Sequence, residues 1–94
     1  MNGRLMVFGG RSHPELTRGI CQELACEPGS IEIFEYGNDN TFVRVLENVR
    51  GADVFLVQTS RKPVNHLMLE LLILTDAMRR ASAARITAVM PYFP

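Results

Sequence analysis

Apolar stretches alternate with polar turns along the chain, and their spacing predicts seven elements. Residues 5–8 and 53–58 are short, continuous apolar runs, which are typical of strands buried on both faces. Residues 30–36 and 41–46 alternate between apolar and polar side chains, which is typical of half-buried strands. A short turn with Gly and Asn separates these two and favours a hairpin. Residues 86–90 form the last predicted strand.

Two further segments carry apolar residues at helical spacing. Ser12 is predicted to cap the first helix, with Pro14 in the first turn and Glu15 completing a capping box, and the helix ends near residue 25. The second helix is predicted over residues 64–81. Its apolar side chains cover more than one stripe, so it is predicted to be buried on several sides, partly against other sequence or another subunit.

The predicted order of elements is therefore β-α-β-β-β-α-β. Strands joined by crossover helices predict an α/β fold with a mainly parallel sheet and flanking helices. Ligands of such sheets bind at the carboxyl ends of the strands. The loops that follow the strands are therefore the first places to look for functional residues.

The composition limits the class of protein. With 94 residues, 47% hydrophobic and 21% charged, the chain predicts one small globular domain or a piece of a larger one. Its net charge of zero argues against broad binding to nucleic acid or to an anionic membrane. No apolar run reaches the roughly 18 to 20 residues that span a bilayer. Cys21 and Cys26 lack the spacing of a zinc or redox motif, so two reduced thiols in a cytoplasmic protein are expected.

Two loops that follow strands could bind an anion. The loop at 9–13 opens a helix, whose first N–H groups could hold an anion, or it could be an ordinary cap. The loop at 59–62 has two hydroxyls and two cations that could bind a phosphate, or it could be a solvated connection. His13 is expected to be exposed, and His66 is expected to have a polar role in the first turn of its helix or at an interface, because neither has a metal-spaced partner.

Two turns offer further candidates. Arg50, directly before Gly51, could hold a phosphate bidentately or could pair with Glu47 or Asp53. The turn at 36–40 could stack an aromatic ring on a purine and hydrogen-bond its edge through two asparagines, or it could be a plain polar hairpin tip.

Four stretches carry a resemblance to a known family. They are residues 8–13 (FGGRSH), 47–58 (ENVRGADVFLVQ), 67–72 (LMLELL) and 77–94 (AMRRASAARITAVMPYFP). From about residue 5 to its last residue the chain resembles the N-terminal part of ribose-phosphate pyrophosphokinases. The resemblance implies a phosphoribosyltransferase-like fold, with residues 1–94 as the N-terminal portion of the enzyme's N-terminal domain.

The same resemblance implies an activity. Members of the family transfer diphosphate from ATP to ribose 5-phosphate with magnesium, and so make phosphoribosyl pyrophosphate for nucleotide biosynthesis. They are cytoplasmic homo-oligomers, in which dimers assemble into larger rings.

The resemblance also implies two sets of site residues. Tyr36, Asn38 and Asn40 match the turn that contacts the adenine of ATP across a subunit interface, with Tyr36 in place of the usual phenylalanine and Asn40 in place of the usual glutamate. Asn48, Arg50 and Ser82 match a regulatory phosphate or ADP site, with Asn48 where many members have serine.

The family's ATP-phosphate, magnesium, catalytic and ribose-phosphate loops would follow Pro94. The 94-residue chain is therefore expected to hold no catalytic residue and to be inactive alone. The alternative is a non-catalytic regulatory or scaffolding relative that associates with the active synthetase.

Overall fold

The computed structural model describes residues 4–37, 40–59 and 64–91, apart from the side chains of residues 36, 40, 64 and 65. The elements are β1 (Leu5–Gly9), α1 (Pro14–Glu23), β2 (Ile31–Tyr36), β3 (Asn40–Val45), β4 (Asp53–Val57), α2 (Val64–Arg80) and β5 (Arg85–Val89). This order confirms the predicted β-α-β-β-β-α-β succession and the α/β fold class.

The main sheet is parallel and has the strand order β1-β4-β5. As predicted, the continuous apolar strand β4 is central. Gly9 pairs with Val57, and Val57 pairs with Val89. The carboxyl ends of all three strands therefore lie at one edge of the sheet, and the loops that follow them are neighbours.

Strands β2 and β3 form a separate antiparallel hairpin, as their alternating pattern and short turn predict. Most of its inner face is apolar and packs against the core through Ile31, Ile33, Val43 and Val45. On the outer face the rings of Phe34 and Phe42 stack with their centroids 5.7 Å apart. The hairpin thus covers part of one face of the main sheet.

Alternation along the strands divides the core in two. Phe8 and Leu56 point towards α2 and the hairpin, where they meet Leu74 and Met78. Val7 and Val57 point the other way, towards α1. Burial of a large aliphatic or aromatic side chain contributes roughly 1.5–3 kcal/mol, so the two clusters hold helices on both faces of the sheet.

Helix α2 buries one face and exposes another. Leu69 and Leu72 remain 49% and 64% exposed, whereas Leu74 is fully buried. The described part of the chain therefore does not supply the additional burial that the sequence pattern predicts for this helix.

The cap of α1 differs from the prediction. His13, not Ser12, is the N-cap, and its Nδ1 accepts a hydrogen bond from Leu16 N at 3.1 Å. Ser12 is buried and faces the sheet, where its Oγ accepts from Thr59 N at 2.8 Å. The predicted capping box with Glu15 is therefore wrong, and His13 is half-buried rather than exposed.

Neither α1 nor α2 has the length and hydropathy of a membrane-spanning helix, and the same holds throughout the described ranges. Cys21 and Cys26 are both free thiols, as expected.

Candidate functional site

Polar side chains converge at the edge where β1 and β4 end. Ser12 follows β1, Gln58 follows β4, and Glu70 comes from α2. Their exposed fractions are 3%, 1% and 1%, respectively. Burial of polar groups costs free energy unless they are hydrogen-bonded, so the partners of these three decide whether this edge is stable.

Glu70 is the centre of this cluster. Its Oε2 accepts hydrogen bonds from Arg11 N at 2.7 Å and from Gln58 Nε2 at 3.0 Å. Its Oε1 accepts from Arg11 Nε at 2.8 Å and lies 2.8 Å from Nη2. Charge-assisted bonds of this kind are about twice as strong as neutral ones. They replace the water that a buried carboxylate loses, and they fix the loop after β1 to α2.

Gln58 uses both ends of its side-chain amide. Nε2 donates to Glu70 and to Leu67 O at 3.2 Å. Oε1 accepts from Ser12 N at 3.2 Å and from Ser12 Oγ at 2.7 Å. These bonds set the orientation of the amide and join β4 to the loop after β1.

Gly9, the last residue of β1, and Gly10, which follows it, are required by close packing. A Cβ atom at Gly10 would lie 2.1 Å from Gln58 Oε1, and one at Gly9 would lie 2.2 Å from Thr17 Oγ1. The N–H of Leu16 bonds to His13 Nδ1, and the N–H of Thr17 bonds to His13 O. The geometry of this loop therefore favours the ordinary cap over the anion site.

Arg11 extends the network to the hairpin. Its Nη2 lies 3.1 Å from Glu35 Oε2, and His66 Nε2 lies 3.0 Å from the same oxygen. Burial alone would lower the pKa of Arg11, but hydrogen bonds to Glu70 and Glu35 outweigh burial and raise it. Hydrogen bonds from Arg11 and then from His66 lower the pKa of Glu35, so this carboxyl group stays ionised.

The predicted adenine-contact residues lie at the turn of the hairpin. Tyr36 and Asn40 pair through their backbones at the end of the β2–β3 ladder. Their side chains, and the whole of Asn38, lie outside the described residues. Glu35 directly precedes Tyr36, so the network at the carboxyl edge of the main sheet ends beside this turn.

Asn48, Arg50 and Ser82 are brought together at the opposite edge of the sheet. Asn48 Oδ1 accepts from Arg50 N at 3.0 Å, which forms a tight turn before β4. Gly51 N donates to Ser82 O at 2.9 Å and so joins this turn to the one that precedes β5. Arg50 and Ser82 are both exposed.

The alternatives for Arg50 can be compared with this geometry. Across the described residues, neither Glu47 nor Asp53 forms an ion pair with its guanidinium group. Glu47 Oε2 instead accepts from Ser30 N at 2.6 Å. The exposed guanidinium of Arg50 is therefore available to a ligand.

Ser82 has a backbone conformation that L-residues rarely adopt, with a φ of +70°. It stands directly after the C-cap of α2 in a Schellman motif, in which Ser82 N donates to Arg79 O at 3.0 Å and Ala83 N donates to Met78 O at 3.2 Å. Glycine is the usual residue at this position. The motif ends α2 and brings Ser82 next to the turn that contains Arg50.

The loop at 59–62 is described only at its first residue. Thr59 is buried, and its N–H bonds to Ser12 Oγ. The other residues of that candidate phosphate loop lie outside the described ranges.

Glu70 and Gln58 were not predicted as site residues. Each nevertheless leaves a signal in the sequence. Glu70 is the one charged residue in the leucine-rich stretch 67–74, and it shares a helix face with the buried Leu67 and Leu74. Gln58 directly follows the apolar run at residues 54–57. A polar residue at a position that the pattern assigns to the core indicates a buried hydrogen-bond network.

Comparisons with known proteins agree over almost the whole chain. Residues 5–94 match the family model for the N-terminal domain of ribose phosphate pyrophosphokinase. The ribose-phosphate pyrophosphokinase of Mycobacterium tuberculosis is 48% identical over 90 residues, which cover 96% of this chain and 28% of that protein. Ribose-phosphate pyrophosphokinase 5 of Schizosaccharomyces pombe is 44% identical over 90 residues, which cover 96% of this chain and 26% of that protein. The chain therefore spans between a quarter and a third of the length of these relatives.

Solved structures give the same result. The phosphoribosylpyrophosphate synthetase of Mycobacterium smegmatis superimposes with a TM-score of 0.93 at 42% identity, over 97% of this chain and 30% of that one. A hypoxanthine phosphoribosyltransferase from Trypanosoma cruzi superimposes with a TM-score of 0.65 at 15% identity, over 96% of this chain and 49% of that one, which shows a shared fold alone. The predicted phosphoribosyltransferase-like fold is confirmed, and the chain belongs to the family of ribose phosphate pyrophosphokinase N-terminal domains.

Proposed function

We propose that this chain is the N-terminal portion of the N-terminal domain of an enzyme that transfers diphosphate from ATP to ribose 5-phosphate. The product would be phosphoribosyl pyrophosphate, which supplies nucleotide biosynthesis. The observation that carries this proposal is the family match over residues 5–94, supported by the TM-score of 0.93 with the Mycobacterium smegmatis synthetase.

Tyr36, Asn38 and Asn40 are the proposed contacts to the adenine of ATP, made across a subunit interface. An aromatic ring can stack on a purine, and the side-chain amides carry both donors and acceptors for its edge. The position of the turn supports this role, because Glu35, which directly precedes the turn, contacts Arg11 in the loop after β1 and His66 in the first turn of α2. Both contacts lie at the carboxyl edge of the parallel sheet, where α/β proteins bind their ligands.

The residues in this chain are proposed to bind and not to catalyse. Phosphoryl transfer requires metal, nucleotide phosphates and acceptor to be positioned together. Among the described residues no group of three or more His, Cys, Asp or Glu side chains is placed to hold a metal ion. Magnesium is therefore expected to be bound by other parts of the protein that carries this chain. The 94-residue chain alone is expected to be inactive.

Asn48, Arg50 and Ser82 are the proposed residues of a regulatory site for phosphate or ADP. The exposed Arg50 can bind a phosphate bidentately. The hydrogen bond from Gly51 N to Ser82 O supports a shared site, because it joins the two turns that carry these residues. This site lies at the opposite edge of the sheet from the hairpin turn, so it would act on ATP from a distance.

A homo-oligomer of dimers that assemble into larger rings is the proposed assembly, and the cytoplasm is the proposed location. The exposed Leu69 and Leu72 of α2 support an oligomer, because a partner would cover apolar surface that this chain leaves open. The free thiols of Cys21 and Cys26 are consistent with a reducing compartment.

The proposal is tested by activity of the purified protein that carries this chain. With ATP, Mg²⁺ and ribose 5-phosphate, AMP and phosphoribosyl pyrophosphate are expected in equal amounts. Tyr36→Ala is expected to raise the KM for ATP about ten-fold, since loss of base stacking costs about 1–3 kcal/mol. Tyr36→Phe, the matched control, keeps the ring and should leave the KM within about two-fold of the parent value.

Three results would contradict parts of this proposal. Turnover by the isolated 94-residue chain would show that it holds catalytic groups. No turnover by the protein that carries it, together with stimulation of an active synthetase on mixing, would favour the non-catalytic relative. An ATP KM unaffected by Tyr36→Ala would remove the adenine contact.

A further inference from the structure

The β2–β3 hairpin shares no strand ladder with the main sheet. Near its base, Gly29 N donates to Val7 O at 2.7 Å, and this backbone bond ties the hairpin to β1. Apolar packing holds its middle against the core. Near its turn, the polar links to the rest of the described chain are made by the side chain of Glu35. The position of the turn therefore depends on what holds Glu35.

We propose that Arg11, Glu35 and His66 form a clasp that positions the hairpin turn for the adenine of ATP. The three are positioning residues, since none is assigned a contact with the nucleotide. The proposal rests on the proposed function, because it takes the turn at 36–40 as the adenine contact. It adds three residues that neither the sequence nor the family resemblance assigns to ATP binding.

The clasp is linked to the buried Glu70. The carboxylate of Glu35 lies between two donors, at 3.1 Å from Arg11 Nη2 in the loop after β1 and 3.0 Å from His66 Nε2 in α2. Arg11 is held in turn by Glu70, whose side chain is fully buried. Hydrogen bonds thus connect Glu35, directly before the turn, through Arg11 to the buried Glu70.

The alternation of the strand supports this assignment. Glu35 lies on the inner face of β2, in series with the partly buried Ile31 and Ile33 that pack against the core. Glu35 ends that series at the edge of the sheet, where its exposed side chain contacts Arg11 and His66. Because Tyr36 is its neighbour in the chain, any movement of Glu35 is passed directly to the turn.

The chain offers a matched control. Glu32 is also on β2 and is ion-paired at 3.4 Å with Arg44, which is on β3. Its pair joins the two strands of the hairpin to one another and leaves the position of the hairpin on the main sheet unaffected. Glu32→Gln and Glu35→Gln therefore remove the same charge from the same strand, and only the second opens the clasp.

The test compares these variants in the protein that carries this chain. Glu35→Gln is expected to raise the KM for ATP about three- to ten-fold through loss of the ion pair with Arg11 and weakening of the hydrogen bond to His66, with kcat and the KM for ribose 5-phosphate within about two-fold of the parent values. It should also reduce the preference for ATP over GTP, because the turn that reads the base is less well placed. His66→Ala should act in the same direction and less strongly, since Arg11 remains. Glu32→Gln should change none of these quantities.

Hydrogen exchange gives a readout that does not depend on the nucleotide. Amides of residues 36–41 should exchange several-fold faster in Glu35→Gln than in Glu32→Gln, while those of β4 stay unchanged. Equal exchange in the two variants would overturn the clasp. A parallel rise in the KM values of both substrates would also overturn it, because that result indicates a general structural effect.

The Tyr36→Ala variant distinguishes a failure of the clasp from a failure of the adenine contact. If Tyr36→Ala raises the KM for ATP and Glu35→Gln does not, the clasp is overturned and the adenine contact stands. If Tyr36→Ala leaves the KM for ATP unchanged, the adenine contact is overturned, and the role of the clasp in ATP binding falls with it.

Discussion

Ser82 combines an unfavourable backbone conformation with a proposed role in binding. Its φ of +70° is in the left-handed region, which costs an L-residue roughly 1–2 kcal/mol relative to the right-handed one. Ser82→Gly should therefore stabilise the protein by about 0.5–1 kcal/mol, as measured by urea denaturation. If the hydroxyl binds phosphate, the same change should weaken the response of activity to inorganic phosphate several-fold.

Ala25 provides the control for this prediction. It has a φ of +56° and occupies the same position after α1, where Ala25 N donates to Gln22 O and Cys26 N donates to Cys21 O. Ala25→Gly should give a similar gain in stability and leave the phosphate response unchanged. A phosphate response that survives Ser82→Gly would exclude the hydroxyl as a ligand.

At the scale of single residues, the sequence predicts less than it does for elements. Ser12 and His13 are both acceptable caps, and the choice between them depends on Gln58 and Thr59, which are more than forty positions away. Glu70 stands on an apolar face of α2, and only the folded chain brings Arg11 to it. Long-range hydrogen bonds of this kind leave no periodic pattern in the sequence.

Close packing between elements makes Gly10 a sensitive position. A Cβ atom there would lie 2.1 Å from Gln58 Oε1, so Gly10→Ala must displace the amide that joins β4, α2 and the loop after β1. Because buried polar groups then lose partners, a loss of about 1–3 kcal/mol is expected in the free energy of unfolding.

Gly19 is the matched control for Gly10. It lies inside α1, and a Cβ atom there would meet nothing within 4 Å. Gly19→Ala should stabilise the protein by about 0.5–1 kcal/mol, because alanine has the higher helix propensity. In thermal denaturation, Gly10→Ala is expected to lower the Tm and Gly19→Ala to raise it. A neutral Gly10→Ala would show that the Gln58 network can relax without cost.

Secondary-structure elements are predicted better from the sequence than individual contacts are. The spacing of the apolar residues predicts all seven elements, and the continuous apolar run in β4 predicts the central strand. The spacing of the apolar residues does not predict where the hairpin lies on the main sheet, because among the described residues β2 and β3 pair with each other and not with the main sheet. That placement is determined by the backbone bond from Gly29 to Val7, the side-chain contacts of Glu35 and the apolar packing under Ile33.

At the scale of the whole molecule, the two faces of the sheet differ in how they are closed. One face is covered by α2 and the hairpin around a large apolar cluster. The other is covered by α1 around a small cluster that consists of Val7, Val57 and the Cys21 thiol. Burial, together with a hydrogen bond to Cys26, raises the pKa of Cys21 to about 11 from a usual value of 9.0. The folded state therefore keeps a proton that the unfolded chain releases in alkaline solution.

Stability is consequently expected to fall as the pH rises from about 9 to about 11. In that range the folded protein binds more protons than the unfolded chain, so the free energy of unfolding decreases as the pH rises. The contribution of Cys21 to stability is fully present below pH 9. A shift of this size corresponds to a loss of roughly 1–3 kcal/mol, which is large against the 5–15 kcal/mol typical of a small domain. Urea denaturation at pH 8 and pH 10.5 would measure it. Cys21→Ala lacks the thiol and should lose less stability over the same range, whereas an equal loss in both proteins would assign the effect to other groups.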